Sequence, residues 1–242
     1  PAYLFKTTDS TKKTKLKMHN TYKILFKFAS RSRNEKFFQS LDNIISKIDD
    51  KENYMIVTSL DFDDKAMFNK QVLERLIPYV EHHKVVPVFG YSKNKIDAIN
   101  RDMDKFDDFS ICVNTSDDMT FEVQGFDNII RDKFKQHFPD TDGNIYFNDG
   151  YVGDRISTMS IIGKKYFDSE KMNSKIYHPS YVSLWCDNEY TEVAKRFNKI
   201  AYFNQILYKH NHPANGVGIA DEQLKNTESF SFVDGENYKK RK

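Results

Sequence analysis

The sequence has few cysteines, and they suggest neither a disulfide framework nor a zinc site. Its 242 residues include only Cys112 and Cys186, and neither belongs to a C-x-x-C pair. A reducing compartment is therefore the simpler expectation, and we predict a cytoplasmic protein. The chain also lacks a signal-peptide pattern at its start and any run of about 18 apolar residues, the length needed to span a bilayer. We expect a soluble protein without a transmembrane segment.

Glycine-rich phosphate-binding motifs are also missing. The nine Gly residues form neither G-x-x-x-x-G-K-[ST] nor G-x-G-x-x-G. This absence argues against P-loop NTPases and ordinary dinucleotide enzymes. If the protein binds a phosphate group, side chains and a metal ion must hold it.

Neither sign of charge dominates, and the formal net charge is +2. Residues 1–20 carry +4 and residues 239–242 another +4, which leaves −6 for residues 21–238. An acidic body argues against a broad nucleic-acid-binding face. We interpret the basic ends as solvated tails, with peripheral contact to an anionic membrane surface as the alternative.

Aromatic residues are abundant. The 20 Phe and 14 Tyr provide more burial than a disordered chain carries, and the length suits one compact domain. Residues 1–20 show no hydrophobic periodicity, so we expect them to form a tether or a poorly ordered N-terminal segment. A single domain is expected over residues 21–242.

The hydrophobic pattern alternates between strand and helix four times in the first half. Strands are predicted at 22–30, 54–60, 85–89 and 109–113. Helices are predicted through 37–48, 72–77 and 96–103, the second of them ending near Pro78. This alternation predicts an α/β fold with a mostly parallel sheet and helices on both faces.

After Thr120 the alternation breaks. The pattern predicts a helix around 126–134, a strand at 159–162, a helix at 190–197 and a last strand at 200–208. The Asp- and Gly-rich stretch 140–154 is interpreted as a mobile loop, although its Asp-Gly and Gly-Asp pairs are also ordinary turns.

Polar and charged residues follow each of the first four strands. The four groups are Ser30-Arg31-Ser32-Arg33, Asp61-Phe62-Asp63-Asp64, Gly90 with Asn94 and Lys95, and Ser116-Asp117-Asp118. Because the carboxyl ends of parallel strands meet at one edge of a sheet, we expect these groups to form one ligand site.

The residue types at this edge suit a metal-bound diphosphate. Arginine and lysine bind phosphate oxygens, and neighbouring carboxylates favour a divalent ion such as Mg²⁺ or Mn²⁺. The alternative is that Asp63-Asp64 and Asp117-Asp118 only cap the helices after them.

The order of several segments resembles the GT-A glycosyltransferases, and the family 2-like group in particular. The resemblance covers about residues 22–240 and implies a nucleotide-sugar-binding half at 21–120 and an acceptor and catalytic half at 121–242. The segments that carry it are S-R-S-R-N-E-K-F, S-L-D-F-D-D, V-F-G-Y-S-K-N-K-I-D-A-I-N, N-T-S-D-D-M, M-S-I-I-G-K-K-Y-F-D, I-Y-H-P-S-Y, L-W-C-D-N-E-Y-T-E-V-A-K-R and K-H-N-H-P.

The resemblance places a metal site at Ser116-Asp117-Asp118, where the family has its D-x-D signature with Ser here at the first position. Asp118 would bind the metal, and Asp117 would contact the ribose or share the ion. His212 matches a late histidine that some members use as a third ligand, the alternative being a loop histidine beside Pro213.

Donor-binding residues also follow from the resemblance. Asp61 matches the position that reads the base, and Arg31, Arg33 and Lys95 would contact the base or the diphosphate. The neighbouring Ser30, Gly90 and Asn94 are assigned to the same nucleotide-sugar site.

The resemblance places the catalytic base in W-C-D-N-E, where Asp187 and Glu189 both qualify. Asp187 would alternatively cap the following helix. Trp185 would stack on an acceptor sugar, or belong to the core.

These expectations describe a metal-dependent enzyme that transfers a sugar from a nucleotide-sugar, with UDP favoured, to a saccharide or other hydroxyl acceptor with inversion. One alternative is a sugar nucleotidyltransferase, although no glycine lies near Arg31-Ser32-Arg33, where those enzymes carry a Gly-rich loop. The other is a catalytically silent carbohydrate- or nucleotide-binding protein with the same fold.

Overall fold

A computed structural model describes residues 22–217 and 221–242. The predicted tether at 1–20 lies outside the described residues. The strands are β1 (Ile24–Ala29), β2 (Tyr54–Asp61), β3 (Val85–Gly90), β4 (Ile111–Thr115), β5 (Met119–Phe121), β6 (Asn144–Asn148), β7 (Ile161–Gly163), β8 (Ile200–Ile206) and β9 (Tyr208–His210). The helices are α1 (Asn34–Lys47), α2 (Lys70–His82), α3 (Lys95–Asn100), α4 (Phe126–His137), α5 (Lys164–Phe167), α6 (Cys186–Arg196), α7 (Glu222–Glu228) and α8 (Ser231–Arg241).

Seven strands form one mixed sheet in the order β3-β2-β1-β4-β7-β6-β8. The pairs from β3 to β4 are parallel, as is β6 with β8, whereas β7 runs antiparallel to both neighbours. A second, antiparallel pair joins β5 to β9. The predicted α/β fold with a mostly parallel sheet is confirmed.

The sheet is buried on both faces because each central strand supplies apolar side chains to both sides. In β1, Ile24, Phe26 and Phe28 join the apolar cluster that contains residues of α1 and α4. Leu25 joins the opposite cluster, with residues of α3 and α6. Helices on both faces are therefore confirmed.

Several features of the chain differ from the sequence predictions. Residues 144–148 form β6 inside the predicted mobile loop, because Ile145, Tyr146 and Phe147 are buried. Helix α2 continues through Pro78 to His82. The C-terminal helices α7 and α8 were not predicted, and the segment 200–208 is divided at Leu207 between β8 and β9.

Across the described ranges, 22–217 and 221–242, no helix is long and apolar enough to cross a bilayer.

Candidate active site

The carboxyl ends of β1, β2 and β4 open into a cleft of about 840 Å³. These strands are neighbours and parallel, so the polar segments after them meet at one edge. The predicted site residues that line the cleft are Ser30, Arg31, Arg33, Asp61, Asn94, Lys95, Asp117, Asp118, Asp187 and His212. Gly90, Trp185 and Glu189 do not line it.

Asp61, at the end of β2, is held by three donors. Its Oδ2 accepts from Arg31 at 2.9 Å, and its Oδ1 accepts from Ser92 at 2.7 Å and Arg101 at 2.8 Å. Arg31 also donates to both carboxylate oxygens of Asp63 at 3.0 Å. The strand end thus presents a fixed carboxylate beside a guanidinium.

Gly90 and Arg101 explain how that carboxylate is fixed. Gly90 pairs with Asp61 in the sheet, and a Cβ on Gly90 would lie 2.9 Å from the Arg101 guanidinium. Gly90 therefore leaves space for an arginine behind the site instead of lining the cleft. Arg101 was not predicted as a site residue, because it ends a helical segment and belongs to no motif of its own.

Asp117 is fixed by residues that follow β1. Its Oδ2 accepts from the Ser30 hydroxyl at 2.7 Å, and its Oδ1 accepts from Arg33 at 2.8 Å. Burial raises the pKa of Asp117, and the positive charge of Arg33 opposes that increase. Both carboxylate oxygens thus have partners within the protein.

Asp118 lies beside two histidines from the segment after β8. His210 Nε2 lies 3.5 Å from Asp118 Oδ2, and the Ser116 hydroxyl donates to its other oxygen. Burial acts to raise the pKa of Asp118, but His210 and Ser116 hold it well below its usual range. The His212 ring lies 5.4 Å from the His210 ring. His210 was not predicted as a site residue, although it belongs to the same H-N-H-P motif as His212.

This corner suits a divalent ion that is shared with a ligand. In the part of the chain that the structure describes, no three Asp, Glu, His or Cys side chains form a metal-binding group by themselves. Asp118 and His210 supply a carboxylate and an imidazole, and Mg²⁺ or Mn²⁺ commonly completes its shell with substrate phosphates and water. The donor set therefore fits a metal that arrives with a diphosphate.

Asp187 lies in the first turn of α6 and faces the same cleft. Burial raises the pKa of its carboxyl group, and the nearby positive charge of Lys95 opposes the rise. Its Oδ1 accepts from the Asn188 N–H at 3.0 Å. A half-buried carboxylate with a raised pKa suits a general base.

Glu189 and Trp185 are directed to α8 instead. Arg241 binds the Glu189 carboxylate through two nitrogens, with distances of 2.7 to 3.1 Å. Burial acts to raise the pKa of Glu189, but the hydrogen bonds from Arg241 lower it. The Trp185 ring stacks on Tyr238 at 5.4 Å, and its Nε1 donates to the Ser231 carbonyl.

The capping alternatives for the acidic residues are wrong. Asn69 caps α2, with its side chain accepting from Val72 N, and Asp117-Asp118 precedes strand β5 instead of a helix. The N-cap position of α6 is Trp185, so Asp187 does not cap that helix.

Solved structures of low sequence identity share this architecture. The Staphylococcus aureus TarS fragment 1–349 in complex with UDP-GlcNAc has a TM-score of 0.60 at 12% identity, over 85% of this chain and 64% of that chain. Mannosyltransferase PcManGT from Pyrobaculum calidifontis, in complex with GDP-Man and Mn²⁺, has a TM-score of 0.59 at 10% identity, over 86% of this chain and 69% of that chain. The fold is of the GT-A type.

A third structure extends the GT-A likeness to a nucleotidyltransferase. The 4-diphosphocytidyl-2C-methyl-D-erythritol synthase of Anaerococcus prevotii has a TM-score of 0.51 at 10% identity, over 86% of this chain and 96% of that chain. No protein-family model and no curated protein matches the sequence. The likeness to these three structures is one of fold. The chain spans less than two thirds of the length of the TarS fragment.

Proposed function

We propose that the protein is a metal-dependent glycosyltransferase that uses a nucleotide-sugar donor, with a UDP-sugar favoured. One observation carries the proposal: Asp187, with its raised pKa, lines the same cleft as the Arg31–Asp61 pair and Asp117-Asp118. The shared GT-A fold supports it, since TarS and PcManGT were solved with UDP-GlcNAc and GDP-Man. A site of these parts can bind a nucleotide, a diphosphate and a hydroxyl acceptor together.

In this proposal the base of the donor is bound beside Arg31 and Asp61. A carboxylate acceptor next to a guanidinium donor complements the N3–H of uracil and its neighbouring carbonyl. Cytosine presents an acceptor at N3, so it would oppose the Asp61 carboxylate. Arg33 and Lys95 line the cleft and supply positive charge for the diphosphate.

Asp118 would hold the divalent ion, with His210 or His212 as a nitrogen ligand. Asp117 is fixed by Ser30 and Arg33, so we assign it to the ribose or to the second coordination shell. A bound Mg²⁺ or Mn²⁺ supplies Lewis-acid stabilisation of the charge that develops on the leaving nucleoside diphosphate.

Asp187 would accept the proton of the acceptor hydroxyl as that oxygen attacks the anomeric carbon, with inversion. The bond between the anomeric carbon and the diphosphate oxygen breaks in the same step. Glu189 is neutralised by Arg241 outside the cleft, so we assign it to the structure of the α6–α8 contact. One face of the Trp185 ring packs on Tyr238. The acceptor-stacking role of Trp185 stays a prediction.

Calorimetric titration tests the donor site directly. The purified protein is titrated with UDP, GDP and CDP, each with Mn²⁺ and with EDTA. With Mn²⁺ present, we expect UDP to bind more tightly than GDP or CDP. In EDTA, UDP should bind only weakly. In the Asp118→Asn variant, Mn²⁺ should no longer increase the affinity for UDP. Failure of all three nucleotides to bind would reject the proposal.

A sugar nucleotidyltransferase is the second candidate, since the fold also resembles the synthase from Anaerococcus prevotii. Such an enzyme consumes a nucleoside triphosphate and a sugar phosphate and releases pyrophosphate. Pyrophosphate release from UTP and sugar 1-phosphates would favour it, whereas UDP release from UDP-sugars favours the glycosyltransferase. UDP binding with neither reaction would indicate the silent binding protein.

A further inference from the structure

Helix α7 and the turn after it present one uncharged face to the cleft. The side chains on this face follow helical spacing of three and four residues, and they are Gln223, Asn226, Thr227 and Phe230. The exposed Glu222, Lys225 and Glu228 of the same helix do not line the cleft. We call these four cleft-lining residues the α7 face.

The position of the α7 face is fixed by contacts with the first turn of α1 and the residue before it. Asp221, which caps α7, accepts from Arg33 at 2.6 Å and from Lys36 at 3.0 Å. Leu224 is buried on the same helix. The α7 face therefore forms a wall of the cleft that contains Asp187.

The chemistry of the α7 face differs from that of the strand ends. Arg31, Arg33 and Lys95 give the strand ends positive charge, whereas the α7 face has two amides, a hydroxyl and a phenyl ring. Within the described residues, the amides of Gln223 and Asn226 make no side-chain hydrogen bond. A diphosphate needs cations, so this face suits a neutral ligand.

Two amides beside an aromatic ring are suited to a sugar. Each amide both donates and accepts, which matches vicinal hydroxyl groups, and the phenyl ring packs on the apolar face of a pyranose. We propose that the α7 face is the acceptor subsite and that the acceptor is a saccharide. This inference rests on the proposed function and adds the substrate class and the residues that bind it.

Saturation-transfer NMR on the full chain, with saturating UDP and the diamagnetic ion Mg²⁺, tests the subsite. The probes are 4-nitrophenyl glycosides of glucose, galactose, mannose and N-acetylglucosamine. We expect at least one probe to bind the wild type, and Phe230→Ala and the double variant Gln223→Ala/Asn226→Ala to weaken it about tenfold. Phe232→Ala and Lys225→Ala, at exposed positions outside the α7 face, are the matched controls and should bind like the wild type.

The outcomes separate this inference from the proposed function. If the wild type does not bind UDP, the proposed function is rejected, and the inference is rejected with it. If UDP binds but no glycoside does, or if the α7-face variants bind the glycosides like the wild type, the acceptor subsite is rejected. If Phe230→Ala weakens UDP binding as much as Lys95→Ala does, the α7 face belongs to the donor site. That result would also overturn the inference.

Discussion

Two carboxylates that are two residues apart on α6 have opposite electrostatic environments. Asp187 faces the cleft, where burial raises its pKa, whereas Glu189 is bound by Arg241 of α8 and has a lowered pKa. The sequence motif contains both residues and does not distinguish them. Of these two carboxylates, only Asp187 combines access to the cleft with the proton affinity that a general base needs.

Substitution of the two carboxylates should therefore have different effects. Asp187→Asn should lower kcat between about 100-fold and 10,000-fold, because the acceptor proton loses its base. Glu189→Gln should change kcat by less than about fivefold, because Glu189 is outside the cleft. Steady-state kinetics with a UDP-sugar measure both, and calorimetry with UDP checks that neither variant loses the donor. Equal losses of kcat would contradict the assignment of Asp187.

The pH dependence of kcat should report the raised pKa of Asp187. The base must be ionised, so activity should fall as the pH drops through that pKa, at a pH above the usual value of about 3.9 for aspartate. Lys95→Met removes the charge that opposes the increase, so the acidic limb should move to higher pH. Lys93→Met, which changes another lysine of the cleft wall, is the control and should leave the limb in place.

Helix α8 stabilises the segment that leads into α6. Asp234 of α8 is fully buried and accepts from the backbone N–H groups of Val182, Ser183 and Leu184 at 2.8 to 2.9 Å. These three residues line the cleft and directly precede Trp185 and α6. A helix near the C-terminus thus positions the loop before the proposed base.

Asp234→Ala should destabilise the protein by about 3 kcal/mol or more, because three backbone N–H groups, including that of the buried Ser183, lose their acceptor. For a chain of this size the melting temperature should fall by about 6 to 12 °C. Urea unfolding measures the free energy. Glu236→Gln, which removes only a surface pair with Lys239, should unfold within about 0.5 kcal/mol of the wild type. An unchanged midpoint for Asp234→Ala would exclude this capping role.

Residues from both halves of the chain form the cleft. The first half supplies Arg31, Asp61 and Asp118, and the second half supplies Asp187, His210 and the α7 face. Arg33 joins the halves directly, because it donates to Asp117 and to Asp221. A ligand in the cleft would contact both halves and stabilise the fold as a unit.

UDP with Mn²⁺ should therefore raise the melting temperature of the entire domain. At a ligand concentration of about 100 Kd the gain is about 2.7 kcal/mol, which corresponds to a shift of about 5 to 10 °C. Differential scanning calorimetry should show one transition that moves as a whole. EDTA should remove most of the shift, and a shift that persists fully in EDTA would exclude a metal-dependent donor site.

Local pattern explains which elements were predicted and which were missed. Alternating apolar segments identified β1 to β4 and the helices between them, because each apolar run is strongly periodic. Strand β6 was missed because turn-forming Asp and Gly surround a short run, and burial of Ile145 and Phe147 outweighs them. Pro78 lies inside α2 because the contacts of Leu76 and Tyr79 with the core hold the helix across it.

The strand–helix pattern of the sequence is sufficient to predict that Arg31, Asp61 and Asp118 lie at one edge, because parallel strands place their carboxyl ends together. Tertiary packing selects the residues that share the cleft. It paired Glu189 with Arg241, placed His210 beside Asp118, and added the α7 face. These relations join segments far apart in the chain, so they depend on three-dimensional packing that no local spacing of residues encodes.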